Sequence, residues 1–150
     1  MMFEPPRETW TFFGKHQHRY ELPDIYVCRM NGDVSGPDML AQLDALRWMH
    51  QRTKRGIYWI CDVRAMGTLS PEARKAAAAA SSTDLRTVLC GSAVFGAAFG
   101  TRVMVTLLAR ATRLLNPSKA RPIAFVETEA QAWAFINELR RAENRPSVTS

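Results

Sequence analysis

The fold class that this sequence predicts is α/β, with a mainly parallel sheet, and three observations predict it. Residues 57–61, Ile-Tyr-Trp-Ile-Cys, form an apolar run without alternation, the mark of a strand covered on both faces. After an initial hairpin, strand-like and helix-like stretches alternate along the chain, which calls for crossover connections between parallel strands. Finally, 150 residues with 47% hydrophobic and 23% charged side chains suit one domain with its own core. The expectation is a single domain over residues 1–150, its core spanning about 17–140, with about four helices, a flexible amino-terminal arm and a flexible tail.

The elements follow in order. Residues 10–13 form either a short extra strand or an apolar plug. Residues 17–22 and 25–30 predict two strands joined at Pro23-Asp24, with turn chemistry at the bend, and Asn31-Gly32-Asp33 closes the second. Ser35-Gly36-Pro37-Asp38 opens a helix to about residue 53, with a cap, a proline in the first turn and an acid at the positive end. Met39, Leu40, Leu43, Leu46 and Met49 share the stripe expected to face the sheet, and His50 falls on it as a core histidine bonded to a carbonyl. Trp48 points the other way, among Asp44 and Arg52. It is either an exposed partner contact or packed beneath the amino-terminal arm.

The central strand covers residues 56–64, and a loop from Ala65 leads to Ser70-Pro71, a helix start. Alanine-rich residues 71–80 form that helix and allow close approach to the sheet or a partner. A strand over 85–95 follows, then a helix over 102–115. On that helix Arg102, Thr106, Arg110 and Arg113 make a narrow polar stripe, and Leu107 belongs to a wide apolar remainder. So much apolar surface calls for two covering neighbours, a pocket or a dimer contact. Residues 122–126 predict a last strand. Thr128 with Gln131 then forms a capping box for a helix burying Ala132, Phe135, Ile136 and Leu139. The polar tail after it is expected to fray.

In α/β sheets, sites gather beyond the carboxyl ends of the strands, which is where Asp62, Arg64, Thr68 and Ser70 fall. Net charge is +6, but the basic residues are scattered and not interleaved with aromatics, so nucleic acid is not an expected partner. The three cysteines form no C-x-x-C pair and are expected as reduced, buried thiols. No run is long enough to span a bilayer and the start lacks a signal-peptide pattern, so the cytoplasm is the expected location.

The order of elements resembles the STAS family, in particular its anti-sigma-factor-antagonist branch, related to lipid-binding CRAL-TRIO domains. The resemblance is carried by the hairpin into Met30-Asn31-Gly32-Asp33-Val34-Ser35 and the strand ending Ile60-Cys61-Asp62-Val63-Arg64. Ala93-Val94-Phe95-Gly96 and the segment from Ile123 to Ala130, with Trp133 just after it, complete it. It implies a mixed sheet packed with helices, and binding in place of catalysis. In those antagonists a serine or threonine opening the helix after the central strand is phosphorylated. The matching region, 62–70, has no compact Asp-Ser-x-Gly and offers Thr68 and Ser70 after a longer loop.

The expected function is a non-enzymatic regulatory or protein-interaction module, with a protein partner, a second copy of the chain being one candidate. The alternative is a hydrophobic-ligand or lipid carrier with an apolar pocket under residues 102–115, Arg102 and Arg110 facing acidic head groups. No G-x-S-x-G, H-E-x-x-H, Walker loop or G-x-G-x-x-G is present, so no catalytic residue, metal or cofactor is expected, and an enzyme of unknown class is the distant alternative. His16 and His18 alternate on one strand face without a third ligand and read as surface histidines.

Overall fold

Six strands make one mixed sheet in sequence order: β1 (Thr11–Phe13), β2 (His16–Glu21), β3 (Ile25–Val34), β4 (Ile57–Leu69), β5 (Leu89–Phe95) and β6 (Ile123–Val126). We analysed a computed structural model that describes residues 9–81, 83, 85–97 and 122–148. The first three strands pair antiparallel, and β3 to β6 run parallel. The helices are α1 (Gly36–Thr53), α2 (Pro71–Ser81), the single turn α3 (Leu85–Val88) and α4 (Glu129–Ala142).

Two cores result. On one face α1, α2 and α3 bury Met39, Leu43, Leu46, Met49, Ala73, Ala80, Leu85 and Val88 against Tyr26, Cys28, Ile57 and Cys61. On the other, α4 packs Ala132, Trp133 and Ile136 on Ile25, Val27, Tyr58, Ile60, Ala93 and Phe95. Alternate residues of β3 and β4 feed opposite cores, so residues 25–28 and 57–61 are apolar without a break, as the continuous run predicts. Two of the predicted helix starts form with a reciprocal capping box. Ser35 and Asp38 make a reciprocal capping box on α1, and Thr128 and Gln131 make one on α4.

Several expectations are corrected. Residues 65–69 are strand, not loop: β4 continues past β5 and stays paired with β3 as far as Leu69. Each of two bulges inserts one extra residue into β4, so the pairing survives a strong local twist there. Residues 85–88 are helical, and β5 begins at Leu89. Leu40 is 51% exposed, lying at the edge of the stripe that its neighbours bury. Trp133 and Arg140 are buried on α4, while Phe135 and Leu139 are half-buried.

Trp48 is half-buried, its ring 4.9 Å from that of Tyr20, so it packs on the sheet and is not an exposed contact. The histidines of β2 are not at the surface either. His16 is fully buried, and His18 sits among Phe13, Tyr20 and Tyr26. His50, half-buried at the end of α1, donates to the Arg55 carbonyl at 2.6 Å. The tail is not frayed as far as Val148. Asn137 holds Val148 through two hydrogen bonds, and Arg140 donates to the Pro146 carbonyl at 2.8 Å. The expected helix over 102–115, with Arg102, Leu107 and Arg110, lies outside the described residues.

Candidate functional site

At the carboxyl end of the parallel strands, Asp62 is the last β4 residue that also pairs with β5. Beyond it, among the described strands, β4 pairs only with β3, and Arg64, Ala65, Gly67 and Thr68 are exposed. Asp62 itself is buried. A buried carboxylate must be paired, and Asp62 is held by its own strand. The Arg64 backbone N–H and Nε both donate to Oδ1 at 3.0 Å, and Nη2 donates to Oδ2 at 2.7 Å. Arg29, opposite Asp62 in the ladder, adds an ion pair at 3.7 Å. The bidentate fork is the strong form of this interaction. It raises the Arg64 pKa through the hydrogen bond and charge of Asp62, with a smaller contribution from Glu129, so Arg64 stays fully cationic.

The guanidinium of Arg64 also lies over the Phe95 ring, 5.3 Å from its centre. Gly96, at φ +79°, makes this possible: a Cβ there would run into the Arg64 side chain. Arg64 nevertheless keeps 61% of its side chain exposed. The head group is aimed and still in contact with solvent.

Further along, Asp33 ties the projecting end of β4 to β3. Its Oδ1 accepts from the Thr68 backbone N–H at 2.9 Å and from the Thr68 hydroxyl at 3.2 Å. Those two bonds hold the exposed Asp33 carboxyl below the usual carboxylate range. Gly67 is required there, because a side chain would occupy the place of the Asp33 carboxylate. Ser70 accepts from the Ala73 N–H at 3.0 Å, which makes it the cap of α2, and its own N–H donates to the Val34 carbonyl at 2.9 Å. Arg74, one turn into α2, donates to the Leu69 carbonyl at 3.1 Å.

The adjoining corner is built on His16. The Asn31 backbone N–H donates to Nδ1 at 2.9 Å, so that nitrogen accepts and Nε2 carries the proton donated to Asp38 at 3.0 Å. Burial pushes the Asp38 carboxyl up, but hydrogen bonds from the Ser35 backbone and His16 outweigh it and leave it lowered.

Of the residues that the sequence singles out, Asp62, Arg64, Thr68 and Ser70 therefore share one rim. Trp48 does not join them, since its partner Tyr20 pairs with Tyr26 near the start of β3. The sequence analysis missed Arg29, Asp33 and Phe95 as members of the rim. Asn31-Gly32-Asp33 looks like an ordinary turn, and only the ladder shows that Asp33 reaches Thr68. Asp62 does not end its strand, as a strand-terminating aspartate would; it sits at a bulge inside β4. Among the described residues no group of three or more His, Cys, Asp or Glu side chains is placed to hold a metal ion.

This arrangement of sheet and helices matches solved structures. The anti-sigma factor antagonist SpoIIAA in its unphosphorylated form superposes with a TM-score of 0.58 at 10% identity, over 81% of this chain and 96% of that one. An uncharacterised protein of the DUF3478 family with a SpoIIAA-like fold, from Shewanella loihica PV-4, superposes with a TM-score of 0.54 at 15% identity, over 90% and 98%. The fold is STAS-like. No family model matches the sequence, and no curated protein matches it. No described helix is long and apolar enough to cross a membrane.

Proposed function

We propose that this STAS-like domain is a non-enzymatic regulatory module that binds a protein partner through the projecting end of β4. The observation that carries this is the position of Arg64: held by the buried Asp62, stacked on Phe95, and still largely exposed. A cation fixed in direction but not covered suits a protein surface that brings a carboxylate, since little side-chain entropy remains to be lost on binding.

Thr68 and Ser70 are the candidate modification points, and their surroundings differ. A phosphate on Ser70 would lie at the amino terminus of α2 with Arg74 one turn away, an attractive setting. A phosphate on Thr68 would face the Asp33 carboxylate that now accepts its hydroxyl. Repulsion would then break the two bonds that tie β4 to Asp33. Thr68 is exposed whereas Ser70 is half-buried and used as a cap, so Thr68 is the residue at which modification changes the rim. A pocket under residues 102–115 falls outside the described residues, and nothing in the rim favours an apolar ligand.

The test is affinity capture from the source cells with wild-type, R64E and T68E chains, quantified by mass spectrometry. R64E and T68E are expected to lower partner capture about tenfold, equivalent to roughly 1.4 kcal/mol, while each chain still unfolds cooperatively, at a lower melting temperature because the Asp62 fork or the Asp33 ties are lost. Equal capture by all three chains overturns the proposal. Native mass spectrometry of the same samples identifies a second copy of the chain if that is the partner.

A further inference from the structure

The three cysteines are not equivalent. Cys28 on β3 and Cys61 on β4 are direct partners in the parallel ladder, and both project into the core beneath α1 and α2. Neighbouring strands lie about 4.8 Å apart, inside the Cα separation of about 4.4–6.8 Å that a disulfide bridges. The two sulfurs are already 3.0 Å from one another, with the Cys28 thiol donating to Cys61. The Trp59 indole N–H in turn donates to the Cys28 sulfur at 3.1 Å. Cys90 is the odd one out: it is the extra residue at a register shift in β5 and packs with the α4-side core, across the sheet from the pair.

We propose that Cys28 and Cys61 are a dithiol pair that closes to an intramolecular disulfide on two-electron oxidation by a hydroperoxide. Cys61, 9% exposed against 0% for Cys28, is the sulfur that meets the oxidant. Its thiolate attacks one peroxide oxygen and the O–O bond breaks. The hydroxide released leaves as water with the proton from the Cys61 thiol, and Cys61 becomes a sulfenic acid. The Cys28 sulfur then attacks the Cys61 sulfur, its thiol proton leaves with the displaced hydroxide as a second water, and the S–S bond forms. Two thiols and one hydrogen peroxide thus give one disulfide and two waters, the two electrons passing from the sulfurs to the peroxide.

The surroundings set the rate and the consequence. The hydrogen bond from Cys28 and the burial of the site push the Cys61 thiol well up, so thiolate is scarce at neutral pH and closure accelerates as pH rises. The residues immediately after the pair are Arg29 and Asp62, also opposite one another. Drawing the sulfurs to about 2.05 Å therefore tightens β3 against β4 one step before the Asp62–Arg64 fork. The bond is a redox input located next to the rim.

The experiment treats the full chain with hydrogen peroxide, blocks remaining thiols under denaturing conditions, and maps peptides without reduction. Wild-type and C90S chains are expected to show the Cys28 peptide linked to the Cys61 peptide, lighter by two hydrogens. In the wild type, free thiols fall from three to one, in keeping with the three cysteines of the chain. The linkage forms faster at pH 9 than at pH 7, and a thiol reductant reverses it. C28S and C61S are expected to abolish it. Because the decisive measurement is made on wild-type and C90S chains, misfolding of the other variants does not obscure it. Retention of all three thiols, linkage through Cys90, or over-oxidation of Cys61 without linkage overturns the proposal.

Discussion

Asp24 and Asp62 lie at opposite ends of the same sheet, both buried and both paired with more than one arginine, and they differ in what surrounds the arginines. Asp24, in the turn before β3, is fully buried and bonds to Arg140, itself fully buried, and to Arg145 at 2.8 Å. Arg55 stands 3.9 Å away. Burial and the neighbouring Arg145 both depress the Arg140 guanidinium, with Glu143 acting the other way. Around this cluster the tail is fastened: Arg145 also donates to the Gly56 carbonyl at 3.0 Å, and Tyr58 donates to Glu143 at 3.0 Å. At Asp62 the Arg64 side chain keeps 61% of its surface exposed, while Arg29, 38% exposed, lies over the Trp10 ring. The same ion-pair chemistry thus serves structure where both partners are desolvated, and leaves a usable surface where the cation is not. What separates the two ends is the arginine bonded most closely to each aspartate, fully buried in Arg140 and largely exposed in Arg64.

The largest effect that follows is that of D24N, which leaves Arg140 buried and uncompensated. The expected loss is about 3–5 kcal/mol in chemical denaturation, with early release of the tail seen by hydrogen exchange at residues 143–148. A loss no greater than that of D62N would break the comparison. D62N is the second measurement: Arg64 can turn into solvent, so the stability loss should be less than half that of D24N. Partner capture should still fall, because Arg64 is no longer aimed.

The third concerns burial without an ion pair. Burial lowers the His18 pKa from 6.5 to about 4, and its Nδ1 shares a hydrogen bond with the Tyr26 hydroxyl at 2.7 Å. Between pH 6.5 and about 4 the unfolded chain holds the proton that the folded chain refuses. Stability is therefore complete above 6.5 and declines as pH falls through that window. Urea midpoints of wild type and H18F across pH 4–7 check this: the slope should be shallower in H18F, whatever its absolute stability. The smallest effect is S70A, a lost helix cap costing about 1 kcal/mol with partner capture intact. Loss of capture in S70A at unchanged stability would move the interaction site from Arg64 and Thr68 to Ser70.

What the sequence determined by itself is whatever depends on neighbours a few residues apart. The caps at Ser35 and Thr128, the hairpin bend at Pro23-Asp24, the buried character of β3 and β4, and the placing of Asp62, Arg64, Thr68 and Ser70 at one end of the sheet all follow from local pattern. The boundary errors came from the same source. Ala65-Met66-Gly67-Thr68 lacks the β-branched density of a strand, and it is one because β3 lies alongside it. Tertiary structure alone decided the rest. Asp24 meets Arg140 across 116 positions and Asp33 meets Thr68 across 35. Neither pair leaves a periodic trace in the chain, since a polar contact between distant residues constrains only two positions. His16 and His18 carry polar side chains that composition assigns to the surface. Their burial rests on a hydrogen-bond partner for each, Asp38 for one and Tyr26 for the other, and the fold brings those partners into place. A polar group enters a core once its partner is there, and the partner is a property of the three-dimensional structure.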